Sequence, residues 1–213
     1  MASIKPKNIQ HASLWLVGIC FVVFGIQSFV PGFTDMFLLN SSLISSRPWT
    51  LLTSIFLHGG VEHLLYNMFA LALFGYILEK LIGTKRFLIL FFTAGLFASV
   101  GAAFFYDAAL GASGAIMGVL GALAVLKPKM KVFVGMVPMP MIMAAVVWAA
   151  GDLLRLFVPS NIASAAHLFG MALGISVGVY LRHEYGLLFK DNHSRDENEE
   201  FDEEFQDWED SWM

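Results

Sequence analysis

The chain has one cysteine in 213 residues, Cys20, and it sits inside an apolar run. No intramolecular disulfide is possible, and nothing around Cys20 marks a reactive thiol. Charge is scarce as well. Asp, Glu, Lys and Arg make up 14% of the chain against 57% hydrophobic residues, with mean hydropathy +0.68. A soluble domain of this length could not hide so much apolar surface. The His-Glu-x-x-His pattern of a zinc hydrolase is missing. His58, Glu62, His63 and His167 do not supply its i, i+4 histidine pair, so no metal and no cofactor are expected. No internal repeat is evident, which argues against a transporter built from paired broken helices. No small-residue cleavage site follows the first apolar run, Leu14 to Val30, although Lys5 and Lys7 precede it. It therefore reads as a retained helix rather than a signal peptide.

What is present is a series of six apolar segments, at about 12–30, 54–79, 87–106, 111–126, 132–151 and 162–182. The expected fold is all-α, a polytopic membrane protein of six transmembrane helices whose fourth is short and central. The expected organisation is a cytoplasmic N-terminus at 1–11, a membrane domain at 12–190 and an acidic tail at 191–213. That tail carries eleven Asp and Glu with Trp208 and Trp212, and its composition predicts disorder, with a partner-binding tail as the alternative. The stretch from Pro31 to Thr53 holds Phe33, Met36, Phe37, Leu38, Leu39 and Trp49, and reads as structure lying at the membrane interface.

Lys and Arg set the orientation. One set of loops carries Lys5, Lys7, Lys80, Lys85, Arg86, Lys127, Lys129, Lys131, Arg182, Lys190 and Arg195, and the other only Arg47 and Arg155. This predicts a multi-pass protein of the cell membrane with both termini in the cytoplasm. Segments 2, 4 and 6 then share one direction.

Polar side chains inside spans are costly and mark sites of function. His63, Asn67, Ser113 and His167 each lie near the outer start of segment 2, 4 or 6, so the topology alone places them at one depth. His63 and Asn67 share a helix face at i, i+4. Segment 4 reads Gly-Ala-Ser-Gly-Ala-Ile-Met-Gly-Val-Leu-Gly from Gly111 and is rich in small residues. Gly111 and Gly114, with Gly118 and Gly121, are expected to let it approach Gly170 and Gly174 of segment 6 closely. That contact would bring Ser113 to His167. A serine hydroxyl attacks only when a base takes its proton, and an imidazole can do so and return the proton to a leaving amine. The Ser113 N–H, at a helix N-terminus, with His63 and Asn67, could hold the oxyanion.

In these residues the chain resembles the rhomboid family. The Gly-x-Ser-Gly element of the fourth span is matched by Gly111-Ala112-Ser113-Gly114. The His-x-x-x-Asn element of the second is matched by His63-Leu-Leu-Tyr-Asn67. The Ala-His-x-x-Gly-x-x-x-Gly element of the sixth is matched by Ala166-His167-Leu-Phe-Gly170-Met-Ala-Leu-Gly174. His58-Gly59-Gly60 and Arg47-Pro48-Trp49 also resemble members, and the similarity covers about 40–182. It implies a Ser113–His167 dyad with no third, acidic member, and an oxyanion site from Ser113, His63 and Asn67. Members often carry an aromatic residue four positions after the nucleophile, where this chain has Met117. The resemblance implies an intramembrane serine endopeptidase. Its substrates would be single-span membrane proteins in the bilayer, cleaved near the outer face, and no nucleic-acid partner is implied. Pro138 and Pro140 suggest either that segment 5 moves to admit substrate or that it carries a static kink. The competing expectation is a non-catalytic membrane-protein binder or chaperone, or a transporter, which would not need the Ser113 hydroxyl.

Overall fold

The computed structural model describes residues 9–158 and 162–191. The tail expected to be disordered lies outside them beyond Asp191. Among the described residues the chain is mainly helical, with two minor antiparallel pairs of strands. Helix α1 (Ala12–Phe29) is followed by short helices α2 (Phe33–Phe37) and α3 (Thr50–Thr53). The second span is continuous from Val61 to Ile82. Within it, α4 (Val61–Ala70) passes through a π-helical turn at Leu71–Gly75 into α5 (Tyr76–Ile82). Then come α6 (Thr84–Phe105), α7 (Ser113–Leu126), α8 (Met141–Arg155) and α9 (Ser164–Asp191).

Among the described residues, four helical stretches are long and apolar enough to cross a membrane: Ala12–Phe29, Val61–Ile82, Thr84–Phe105 and Ser164–Glu184. Their outward side chains are large and apolar, as with Phe69, Phe104 and Tyr180, all more than half exposed. Water would not tolerate such an exterior, whereas lipid does. The fold is all-α and polytopic.

Helix α7 has 14 residues. At 1.5 Å per residue it is about 21 Å long, short of the roughly 30 Å of a hydrocarbon core. Every residue from Gly114 to Ala124 is buried, because the second span, α6, α8 and α9 surround it. Glycine makes this possible. A Cβ on Gly170 would overlap the Gly114 carbonyl oxygen, and one on Gly174 would overlap that of Gly118. On the other flank, a Cβ on Gly114 or Gly118 would strike the Cβ of Ala98 or Ala94 of α6. Backbones here touch directly, as the glycine spacing predicts.

Two expected segments change. The apolar run 132–151 is not one helix. Strands β3 (Lys131–Val134) and β4 (Val137–Pro140) form a hairpin, pairing Lys131 with Pro140 and Val134 with Val137, and α8 begins only at Met141. Val132 is buried while Phe133 is exposed, the period of two that marks a strand. Pro138 and Pro140 therefore lie in the hairpin and do not interrupt α8. They give no cause for the movement expected of segment 5. Likewise 54–60 is not part of the second span. It forms a 3₁₀ turn at Ser54–Phe56 followed by extended chain, and the helix starts at Val61.

The connection after α1 is ordered as expected. Strand β1 (Leu39–Asn40) pairs with β2 (Ala108–Ala109), tying this loop to the one that enters α7. Arg47 donates to the Asp35 carbonyl (3.2 Å), and Thr53 Oγ1 to that of Phe37 (2.8 Å).

At the other end of the bundle a fully buried Glu79 closes α5. Its carboxylate accepts the Ala12 and Ser13 N–H groups (2.9 Å each), the Ser13 hydroxyl (3.0 Å) and the Thr84 hydroxyl (2.6 Å). The first N–H groups of a helix lack internal acceptors, and its positive end favours an anion. One side chain thus caps α1 and joins it to α5 and the start of α6. Glu79→Ala strands several buried donors and is expected to lower stability by about 3 kcal/mol. Unfolding of the detergent-solubilised protein by SDS titration measures this, with Glu79→Gln expected to fall between the two.

Candidate active site

The site is built where three helices begin. Gly111 precedes α7 with φ +125°, a value that L side chains rarely adopt. Its N–H donates to the Ser54 carbonyl (2.9 Å), which fixes the approach to α7. Ser113 then opens the helix, so its N–H belongs to the first turn, where donors lack helical acceptors. His167 lies one turn into α9, and the Gly114–Gly170 contact brings it across to Ser113. Its Nε2 is 2.7 Å from Ser113 Oγ.

His63 approaches from α4. The Gly59 N–H donates to its Nδ1 (3.3 Å), so Nδ1 is the acceptor and the ring proton of the neutral imidazole belongs on Nε2. That atom lies beside the serine. A Cβ on Gly111 would fall 2.9 Å from His63 Nε2 and 3.7 Å from Ser113 Oγ. His63 is backed edge-on by His58, at 5.2 Å between ring centres. Gln27 of α1 holds His58 in turn, accepting its N–H (3.0 Å) and donating to its carbonyl (3.3 Å). Asn67 sits one turn deeper, buried, with its amide donating to the His63 carbonyl (2.8 Å). One N–H of that amide is thereby engaged and the second is left to offer.

The structure thus brings Ser113, His167 and His63 together, with Asn67 behind. Gly114, Gly170 and Gly174 serve the helix packing expected of them. Gly111 does not. It lies ahead of the helix, and the lack of a side chain there leaves room for the His63 ring while the chain turns. Met117 is buried in the core.

One neighbour was not expected. Asp152, near the end of α8, is 3% exposed. Its Oδ2 is 3.0 Å from His167 Nδ1, and its Oδ1 accepts the Ser164 hydroxyl at 2.9 Å. Arg155 Nη1 is 3.6 Å from Oδ1 on the exposed side. In sequence Asp152 stands one residue beyond the apolar run, where a charge reads as the end of a span. The available signal was its depth, level with His167 at the outer end of segment 5.

Beside Ser113 lies a cavity of about 30 Å³ whose walls include Ser54, Ala98, Ser99, Ala102, Gly114 and Ala163. That is room enough for water to enter.

Residues 45–184 match the Rhomboid domain family. The chain is 33% identical over 138 residues to the rhomboid relative YdcA of Bacillus subtilis, covering 63% of this chain and 68% of that one. It is 36% identical over 138 residues to the rhomboid protease GluP of the same organism, covering 63% of this chain and 26% of GluP. It is 32% identical over 193 residues to Rhomboid protein 1, mitochondrial, of Saccharomyces cerevisiae, covering 83% of this chain and 54% of that protein. The class that fold and site define is the serine-type intramembrane endopeptidase. The chain belongs to the rhomboid family.

Gly111→Ala is expected to remove activity by about 100-fold or more, since the new methyl must displace His63 and sit at a strained φ. Cleavage rate measured beside an unchanged melting profile checks this.

Proposed function

We propose that this chain cleaves transmembrane segments of other membrane proteins near the outer face of the cell membrane, with Ser113 as nucleophile and His167 as general base. The observation that carries this is the 2.7 Å contact between Ser113 Oγ and His167 Nε2, made at the positive end of a helix buried in an apolar bundle. His167 takes the hydroxyl proton as Oγ attacks the scissile carbonyl, then returns it to the leaving amine. An acyl-enzyme remains, and water activated by the same imidazole hydrolyses it. The negative oxygen of each tetrahedral intermediate faces the Ser113 N–H and the His63 Nε2–H, with Asn67 as a third donor. In a low-dielectric site such fixed donors need no reorganisation when charge develops.

The substrate class follows from where this machinery sits. A helical segment in lipid pairs all its backbone groups internally, so its carbonyls are shielded. The scissile stretch must unwind to reach Ser113, which favours segments with helix-breaking residues near their outer ends. The small cavity by Ser113 suits a small side chain next to the scissile bond. The excess of Lys and Arg at the opposite end of the bundle supports the orientation, with both termini in the cytoplasm.

The test uses purified protein in detergent and a single-span substrate with helix-breaking residues near its outer end. The parent is expected to cleave it in the presence of chelator. Ser113→Ala and His167→Ala, each checked for folding, are expected to lose at least about 10³-fold. Cleavage that persists in Ser113→Ala overturns the serine mechanism.

A further inference from the structure

We infer that Asp152 is a positioning residue for His167 and makes the catalytic group a triad rather than a dyad. This rests on the proposed roles of Ser113 and His167.

The argument begins with what an imidazole between two oxygens can do. A carboxylate oxygen only accepts hydrogen bonds. With Asp152 Oδ2 3.0 Å from Nδ1, the ring proton of neutral His167 must sit on Nδ1. Nε2 is then bare, and the Ser113 hydroxyl 2.7 Å away is the donor. That is the only neutral tautomer able to take the serine proton. Without an acceptor at Nδ1 the two tautomers compete, and the wrong one places a proton against the serine.

The second effect is electrostatic. When His167 takes the proton it becomes a cation in a bundle with little water. Asp152, 3% exposed, lies where its charge is poorly screened and stabilises that cation as it forms. The other charged or titratable groups around the pair are few. His63 faces His167 from α4 and is near enough to interact electrostatically with it. Arg155 flanks Asp152 from α8 at 3.6 Å.

The third observation is that Asp152 is itself held. The Ser164 hydroxyl binds its other oxygen at 2.9 Å, and Ser164 is buried on α9 one turn before His167. The carboxylate therefore has a fixed rotation, with one oxygen fastened and the other aimed at Nδ1. A carboxylate present merely to end a helix would not need both oxygens engaged by α9.

The experiment measures kcat and KM of the full chain on the single-span substrate across pH, for parent, Asp152→Asn and Ser164→Ala. Asp152→Asn is expected to lower kcat by about 10²- to 10⁴-fold, with KM changed less than about threefold. Ser164→Ala keeps the carboxylate but frees it, and is expected to cost about tenfold in kcat. A structural role alone would lower the folded fraction and leave kcat per folded molecule in place. If Asp152→Asn folds and retains kcat within twofold while Ser113→Ala is inactive, the proposal falls and the serine mechanism stands. If Ser113→Ala remains active, the mechanism itself falls. Should Asp152→Asn fail to fold, ¹⁵N-histidine spectra of the parent decide, with His167 assigned by its absence in His167→Ala. A neutral His167 protonated on Nδ1 supports the proposal, and one protonated on Nε2 overturns it.

Discussion

Everything in this molecule depends on the direct contact of backbones between α7 and α9. Two helices in lipid gain little from hiding apolar side chains, since the surrounding chains are as apolar as they are. What holds them is close van der Waals packing, and at Gly114–Gly170 and Gly118–Gly174 the approach is limited by backbone atoms alone. A side chain added at Gly170 or Gly174 would push the helices apart by more than an ångström. The contact fixes the crossing so that Ser113 and His167, one on each helix, meet at hydrogen-bond distance. A nucleophile and its base tolerate little misplacement, and a shift of about 1 Å can cost 100-fold in rate. The glycine pairs are thus part of the chemistry although they lie below it.

Around this pair the buried polar groups follow the rule that a buried donor or acceptor needs a partner, with His58 Nε2 the exception. Gln27 holds the backbone of His58, whose ring backs His63. The Gly59 N–H sets the His63 tautomer. Tyr106 accepts the Ala165 N–H at 3.1 Å, which secures the start of α9 just ahead of His167. The same rule at the opposite end gives the Glu79 cap. The Gln27–His58, Tyr106–Ala165 and Glu79–Ser13 links join elements far apart in sequence, 31, 59 and 66 residues respectively. The ends of the helices are consequently fixed by polar contacts and their middles by glycine and alanine.

How far the sequence exposes this depends on the residue. Ser113, His63, Asn67 and His167 stand out because each is a polar group in an apolar run, and three parallel spans place them at one depth. The glycine faces are legible for the same reason, as a periodic feature on a helix. Asp152 and Glu79 are not. Each lies at the boundary of an apolar segment, where a charge has an ordinary explanation, and only the fold turns it inward. The hairpin at 131–140 was hidden because apolar length does not separate a helix from two strands. Gly111 reads as one more packing glycine until its φ and the position of His63 are known.

The hairpin also changes what α8 can do. With both prolines outside it, the helix from Met141 to Arg155 has no break, so any displacement must carry it as a unit. Its contacts are limited. Trp148 meets Phe74 of the second span edge-on at 6.3 Å, and Asp152 reaches His167 and Ser164. Many of its other side chains, among them Val146, Val147 and Leu154, face outward. A rigid α8 that swings from the second span to open a lateral path must also move Asp152 relative to Nδ1 of His167. The lipid-facing helix and the orientation of the base are therefore mechanically joined. Loosening α8 to widen access would leave the imidazole less well held.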